Sequence, residues 1–187
     1  MPKPMPRRLD PRSPLVLDTR DLPRRPGAMR TVDRTVPAPA GFGLAMIEAG
    51  EGTELDLHLR MESVSEGVLV SGTVSAPVRG ECGRCLRPIG WTLNTEIQEL
   101  YAYADSTTDE TTDDEEVGRL EGDLIDVEPA VRDMVVLALP SNPLCRVDCP
   151  GLCPDCGVPL DELPRDHGHE RVDSRWAALS KLRTVEE

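Results

Sequence analysis

The 187-residue chain predicts an α+β fold: an antiparallel β-sheet, open or barrel-like, with one central packing helix, a zinc-knuckle C-terminal segment and a short C-terminal helix. Three observations carry that expectation. Several segments alternate polar and apolar residues with the period of a half-buried strand. One stretch, opened by Glu128-Pro129 and stopped by Pro140, has helical spacing. Two Cys-x-x-Cys pairs and further Cys and His gather in a chain with little aromatic mass.

Glu54-Leu55-Asp56-Leu57-His58-Leu59-Arg60-Met61 is the cleanest alternating segment. Gly67 to Ala76 reads as the next strand after a turn at Ser65-Glu66-Gly67, and Thr92 to Tyr103 as a third. Together they make a sheet with one covered face. From Thr31 the pattern is already strand-like, whereas Pro14 to Leu22 is either a strand or one helical turn. Ala130, Val131, Met134, Val135, Leu137 and Ala138 form the apolar side of the helix after Glu128-Pro129, which should pack on the sheet. Asp173 to Leu182 reads as a last short helix, capped by Asp173 or Ser174, with Trp176, Leu179 and Leu182 on one face.

Three regions follow from this reading. Residues 1–34 form a basic, proline-rich N-terminal arm, residues 35–140 a β-rich core domain, and residues 141–187 a metal-binding segment with the terminal helix. Residues 105–116 hold seven acidic residues and four threonines with no basic residue, the composition of a flexible loop inserted in the core domain. With one Phe, two Trp and two Tyr, the core must be built from Val, Leu, Ala and Met and needs help from a metal or a partner.

Charge is uneven along the chain. Residues 1–34 carry nine Lys/Arg against four Asp, a net of +5, and the remaining twelve basic and thirty acidic residues net −18, which together give the formal −13. A body of that sign repels a phosphate backbone and attracts a basic polypeptide, such as a ribosomal protein. Surplus acid also serves solubility alone. The basic Arg24-Arg25-Pro26-Gly27-Ala28-Met29-Arg30 turn could meet RNA or be a solvated loop. No segment reaches the ~18 apolar residues of a membrane span, and no apolar stretch follows the basic start, so a cytoplasmic protein with no membrane partner is expected.

In a reducing cytosol six cysteines point to metal rather than disulfides. Cys82-Gly83-Arg84-Cys85 and Cys153-Pro154-Asp155-Cys156-Gly157 each fold two sulfurs back toward one ion, and Cys145 and Cys149 lie between them. His167-Gly168-His169 raises the candidate ligands to eight, enough for two closed tetrahedral Zn²⁺ sites. The preferred partition is Cys153, Cys156, His167 and His169 in one site and Cys82, Cys85, Cys145 and Cys149 in the other. A single site from Cys82, Cys85, Cys153 and Cys156 is the rival. His58 is read as an ordinary surface residue. Neither Cys-x-x-Cys has the strand-to-helix context of a thioredoxin-like motif, and no His-x-Glu accompanies the cysteines, so no enzyme is expected. Asp113-Asp114-Glu115-Glu116 could attract Mg²⁺ but lacks rigid support for nuclease chemistry.

The ordered pieces Val74-Ser75-Ala76-Pro77, Cys82-Gly83-Arg84-Cys85-Leu86, Asp123-Leu124-Ile125-Asp126 and Leu139-Pro140-Ser141-Asn142-Pro143-Leu144-Cys145 resemble the YceD family of large ribosomal RNA subunit accumulation proteins. Gly151 to Gly157, Asp173-Ser174-Arg175-Trp176-Ala177-Ala178-Leu179 and the N-terminal Leu17-Asp18-Thr19-Arg20-Asp21-Leu22 extend the likeness. The resemblance implies a non-catalytic ribosome biogenesis factor promoting 23S rRNA accumulation or processing. Its implied partners are a large ribosomal subunit precursor or a basic large-subunit ribosomal protein, with rRNA contact through the N-terminal basic arm. Many family members carry Cys-x-Cys where this chain has His167-Gly168-His169, a change between residues that bind the same metal. Ser174 replaces the family's usual proline. The alternative function is a zinc-thiolate redox switch regulating a protein partner.

Overall fold

The computed structural model describes residues 9–106, 118–169 and 175. The alternating segment forms β5 (Glu54–Ser63), in which Leu55, Leu57, Leu59 and Met61 are buried while Glu54, Asp56, His58 and Arg60 face solvent. Alternation puts successive side chains on opposite faces, so one strand fixes the inner and outer sides of the whole sheet. β2 (Met29–Pro37) pairs antiparallel with β5, and β6 (Gly67–Glu81) pairs with its other side. β7 (Pro88–Ala102) runs antiparallel to β6 along the full length of both strands, from Gly67↔Ala102 to Glu81↔Pro88. β6 and β7 are thus longer than the sequence indicated. Their hairpin projects beyond β5 and carries Cys82 and Cys85 at its tip.

Two short strands, β3 (Gly43–Leu44) and β4 (Ile47–Glu48), fill the edge of β6 beside β5, and β8 (Gly118–Arg119) lies parallel to the end of β7. The sheet is open. β2 ends one side and β7 with β8 the other, so the barrel-like form is not adopted.

The N-terminal segment corrects the expectation of an arm. β1 (Val16–Asp18) pairs antiparallel with β9 (Leu124–Asp126), and Leu15, Val16, Leu17 and Leu22 are buried. Arg34 of β2 donates to the carbonyls of Pro14 (3.3 Å) and Val16 (3.0 Å). Composition suggested an extended tail, but four buried aliphatic side chains outweigh the prolines. Nor does residue 34 mark a boundary, since β2 runs through it. Residues 1–8 lie outside the described residues.

Helix α1 (Glu128–Ala138) follows directly from β9, with Pro129 in its first turn and Glu128 at the positive end of its dipole. It packs mainly on β7 and buries Val131 and Val135. Leu137 and Ala138, assigned to its apolar side, are exposed, Leu137 by 75%. Val131, Val135 and Leu139 form the stripe that faces the core, and Leu137, about 200° around the helix from Val135, faces away from it. The core joins Phe42 and Ile125 to the aliphatic rows of the sheet. Among its buried hydroxyls, Ser63 meets Tyr103 at 3.0 Å and Thr19 donates to the Asp123 carbonyl at 3.0 Å. The acidic insert (from residue 107) and the expected terminal helix fall largely outside the described residues.

Candidate metal centre

Residues 139–169 contain no helix or strand beyond an isolated bridge between Leu152 and Pro159. A segment without a ladder needs other anchors, and the backbone supplies them around the cysteines. At the hairpin tip, the Cys82 N–H donates to Arg87 (2.9 Å), the Leu86 N–H to Cys82 (2.9 Å), and the Gly83 N–H to Pro143 (2.8 Å). Leu86 takes a positive φ of 59° to close that turn. The second knuckle repeats the geometry: Cys153 N–H donates to Val158 (2.8 Å), Gly157 N–H to Cys153 (2.9 Å), and Gly157 has φ 70°. Glycine adopts that conformation without strain, which is why it follows the second cysteine.

The tip and the C-terminal segment bring Cys82, Cys85, Cys145 and Cys149 together, and the second knuckle brings Cys153 and Cys156 to His167 and His169. In each group the four donor atoms lie within 4.8 Å of one another. Cys82 and Cys149 sulfurs are 3.8 Å apart, Cys85 and Cys145 3.7 Å, and Cys156 Sγ stands 3.6 Å from His167 Nε2. A tetrahedron with metal–sulfur bonds of ~2.3 Å has sulfur–sulfur edges of ~3.8 Å, and one with metal–nitrogen bonds of ~2.05 Å has mixed edges of ~3.6 Å. The observed separations match those edges and are far from the ~2.05 Å of a disulfide. The donor sets therefore fit two tetrahedral ions. The pairing of Cys82 and Cys85 with Cys153 and Cys156 in one site does not occur.

The two groups differ in exposure. In the first, Cys82, Cys85 and Cys149 are buried, packed against Ile89, Leu144 and Leu152, and Cys145 is exposed. In the second only Cys153 is buried, and His167 stacks edge-on against His169 with ring centroids 4.6 Å apart.

Crowding four sulfurs splits their proton affinities. The Cys85 N–H, donating to the Cys82 sulfur, brings that thiol down to about 6 against the opposition of burial. Desolvation, followed by the sulfurs of Cys149 and Cys85, pushes Cys145 up to about 12. At Cys85 the Arg87 amide favours the thiolate, yet burial and the sulfurs of Cys82 and Cys149 outweigh it and the thiol ends above its ordinary value. Four thiolates at this spacing need a cation among them to hold their charge together. In the second group the N–H groups of Cys156 and Asp155 bring Cys153 down to about 6.

Charged side chains that the sequence did not single out tie the two groups. Arg84 donates to the carbonyl of Cys149 at 2.9 Å, locking the hairpin tip onto the loop that returns to it. Arg87 bridges to Asp161 (2.6 Å) and Glu162 (2.7 Å), and Arg146 also reaches Asp161 (3.1 Å). The Arg87 hydrogen bond holds the Asp161 carboxyl below its usual range. Each pair spans fifteen to seventy-five residues of chain, so only the folded structure brings the partners together. His58 sits on the open outer face, as expected, with its Nδ1 2.9 Å from Asp33.

Residues 70–183 match the profile of the large ribosomal RNA subunit accumulation protein YceD. The chain belongs to the YceD family. Among its relatives is the Mycobacterium tuberculosis H37Rv protein Rv2926c, 54% identical over 170 residues that cover 91% of this chain and 82% of that one. Bacillus subtilis YlbN is 28% identical over 125 residues, 66% of this chain and 69% of the relative. A chloroplastic YCED homolog of Arabidopsis thaliana is 34% identical over 59 residues, 32% of this chain and 18% of that one. No solved structure matches. The YceD profile spans all eight candidate ligands, and it begins inside β6, so β1 to β5 lie ahead of the matched region. The family's description supports a ribosome-related role in general and suggests a non-enzymatic one. No helix among the described residues is long and apolar enough to cross a membrane.

Proposed function

We propose that the chain is a non-catalytic, cytoplasmic ribosome biogenesis factor that promotes 23S rRNA accumulation or processing and large-subunit assembly. In this reading Zn²⁺ occupies both donor sets, held by Cys82, Cys85, Cys145 and Cys149 in one and by Cys153, Cys156, His167 and His169 in the other. Thiolate and imidazole in a tetrahedron favour Zn²⁺ over hard cations, which prefer oxygen. The single observation that carries the non-catalytic reading is that each set supplies four protein donors. A closed tetrahedron leaves no position for water or substrate, which a catalytic zinc requires. The metal then acts as a clamp fixing residues 139–169 against the hairpin tip.

The acidic body favours a basic large-subunit ribosomal protein, free or within a pre-ribosome, as the partner. RNA contact is limited by pairing among the N-terminal arginines. Arg20 is bonded to Asp18 and Arg30 to Asp21, while Arg24 stands 4.0 Å from Asp123. Arg12 and Arg25, with the basic residues of 1–8, remain the candidates for a phosphate backbone. The test is sedimentation of tagged protein alongside rRNA analysis of a deletion strain. Comigration with large-subunit precursors and slowed 23S maturation are expected, and a normal 23S profile in the deletion strain overturns the reading.

Exposure of Cys156 beside His167 favours a second reading, a zinc-thiolate redox switch. Peroxide would then release metal at low dose and alter a binding activity. Metal retained until the chain unfolds removes this reading.

A further inference from the structure

The two borders of the sheet are built differently. β2 carries Arg30, Asp33, Arg34 and Pro37 in nine residues, and Arg34 folds over onto the β1 segment. Charge and proline on an edge strand are the usual devices that stop another chain from pairing with it. β7 lacks them. It is bonded to β6 throughout, but on its other side only Tyr101 and Ala102 meet β8. From Ile89 to Leu100 that side offers a row of backbone N–H and C=O groups with no strand partner among the described residues. The register to β6 is unbroken by any bulge, and the span contains neither proline nor a basic residue.

Apolar surface lies beside this edge. Trp91, on the inner face opposite Val78, is 40% exposed, and Leu137 stands out from the helix that packs on β7. The only charges on the strand are Glu96 and Glu99. Asp133 of α1 adds to the negative field at Glu99, while Arg132 is engaged by Glu128.

We propose that the free edge of β7 is a strand-addition site for an extended polypeptide segment rich in lysine or arginine. Main-chain hydrogen bonds to β7 hold the segment, its inward side chains meet Trp91, and its outward basic side chains meet Glu96. The charge of the partner rests on the ribosome-factor reading above, whereas the edge geometry is independent of it.

The test uses the full metal-loaded chain carrying W176F, which leaves Trp91 as the one indole of the two in the sequence. A peptide alternating lysine and valine is titrated while Trp91 emission is followed. The same peptide N-methylated at every residue keeps its charge but has no amide to donate. Saturable binding with a blue shift is expected, weakened about tenfold or more by N-methylation and about fivefold by Glu96→Lys. Equal binding by the N-methylated peptide, binding without a Trp91 shift, or no binding overturns the proposal. If the protein still sediments with large-subunit precursors in any of those cases, the edge has failed and the ribosome-factor reading has not. Peptide binding together with a normal 23S profile in the deletion strain means the reverse.

Discussion

An ion held as proposed between the hairpin tip and Cys145 and Cys149 should contribute several kcal/mol to stability. Cys85 and Cys145 are 60 residues apart in sequence, and their sulfurs are 3.7 Å apart in space. A covalent or metal clip across a loop of that length removes about 4 kcal/mol of denatured-chain entropy. For a chain of this size each kcal/mol moves Tm by ~2–4 °C, so a drop of roughly 8–16 °C is expected. The perturbation is Cys149→Ser, which removes a buried ligand with almost no change in volume. The assay is scanning calorimetry with metal counted per chain, beside wild type with and without a strong chelator. The variant should hold one ion rather than two, and chelator should bring wild type below the variant. A chelated wild-type protein that melts where the loaded protein melts would refute the clamp, because the sulfurs would then meet without an ion to hold them.

His167→Ala with His169→Ala should take one ion from each chain while leaving the main transition close to wild type. The loop from Cys156 to His167 spans only 11 residues and lies outside the core, and elemental analysis with calorimetry checks both halves of this expectation. Arg87→Ala frees Asp161 and Glu162, which should speed transfer of the outer ion to a chromogenic chelator. These pairs are part-exposed, so the stability loss should stay below about 1 kcal/mol. Burial, with Asp133 nearby, holds the Glu99 pKa above its ordinary value. A raised folded pKa stabilises fully below the unfolded value and loses that contribution as pH rises through the folded one. Glu99→Gln should therefore raise Tm at neutral pH and lose its advantage below about pH 4, read by melting across pH. Gly67→Ala should be severely destabilising, because a Cβ there would lie 2.0 Å from the Tyr101 carbonyl oxygen, and chemical denaturation measures the loss.

The strand alternation of Glu54 to Met61 was legible because a half-buried strand writes its two faces directly into residue order. Glu128-Pro129 and Pro140 likewise marked the helix by rules local to its ends. The grouping of eight donors was readable in part from spacing, since each Cys-x-x-Cys closes its own turn. Other features depended on partners distant in the chain. The N-terminal segment looked like a tail until Leu15 and Leu17 met β9 and the sheet. Leu137 looked like core, but only the stripe of Val131, Val135 and Leu139 turns inward. No local pattern could reveal that Arg87 would meet Asp161, or that the sheet would stay open at β7.

Sequence by itself thus determined the period of the strands, the limits of the helix and the chemistry of the donors, all properties of near neighbours. Tertiary structure decided which strand lies at the border, which apolar residues are covered, and which sulfurs share a site. Those outcomes depend on contacts between residues far apart in the chain, and their free energy exists only once the intervening segments have folded.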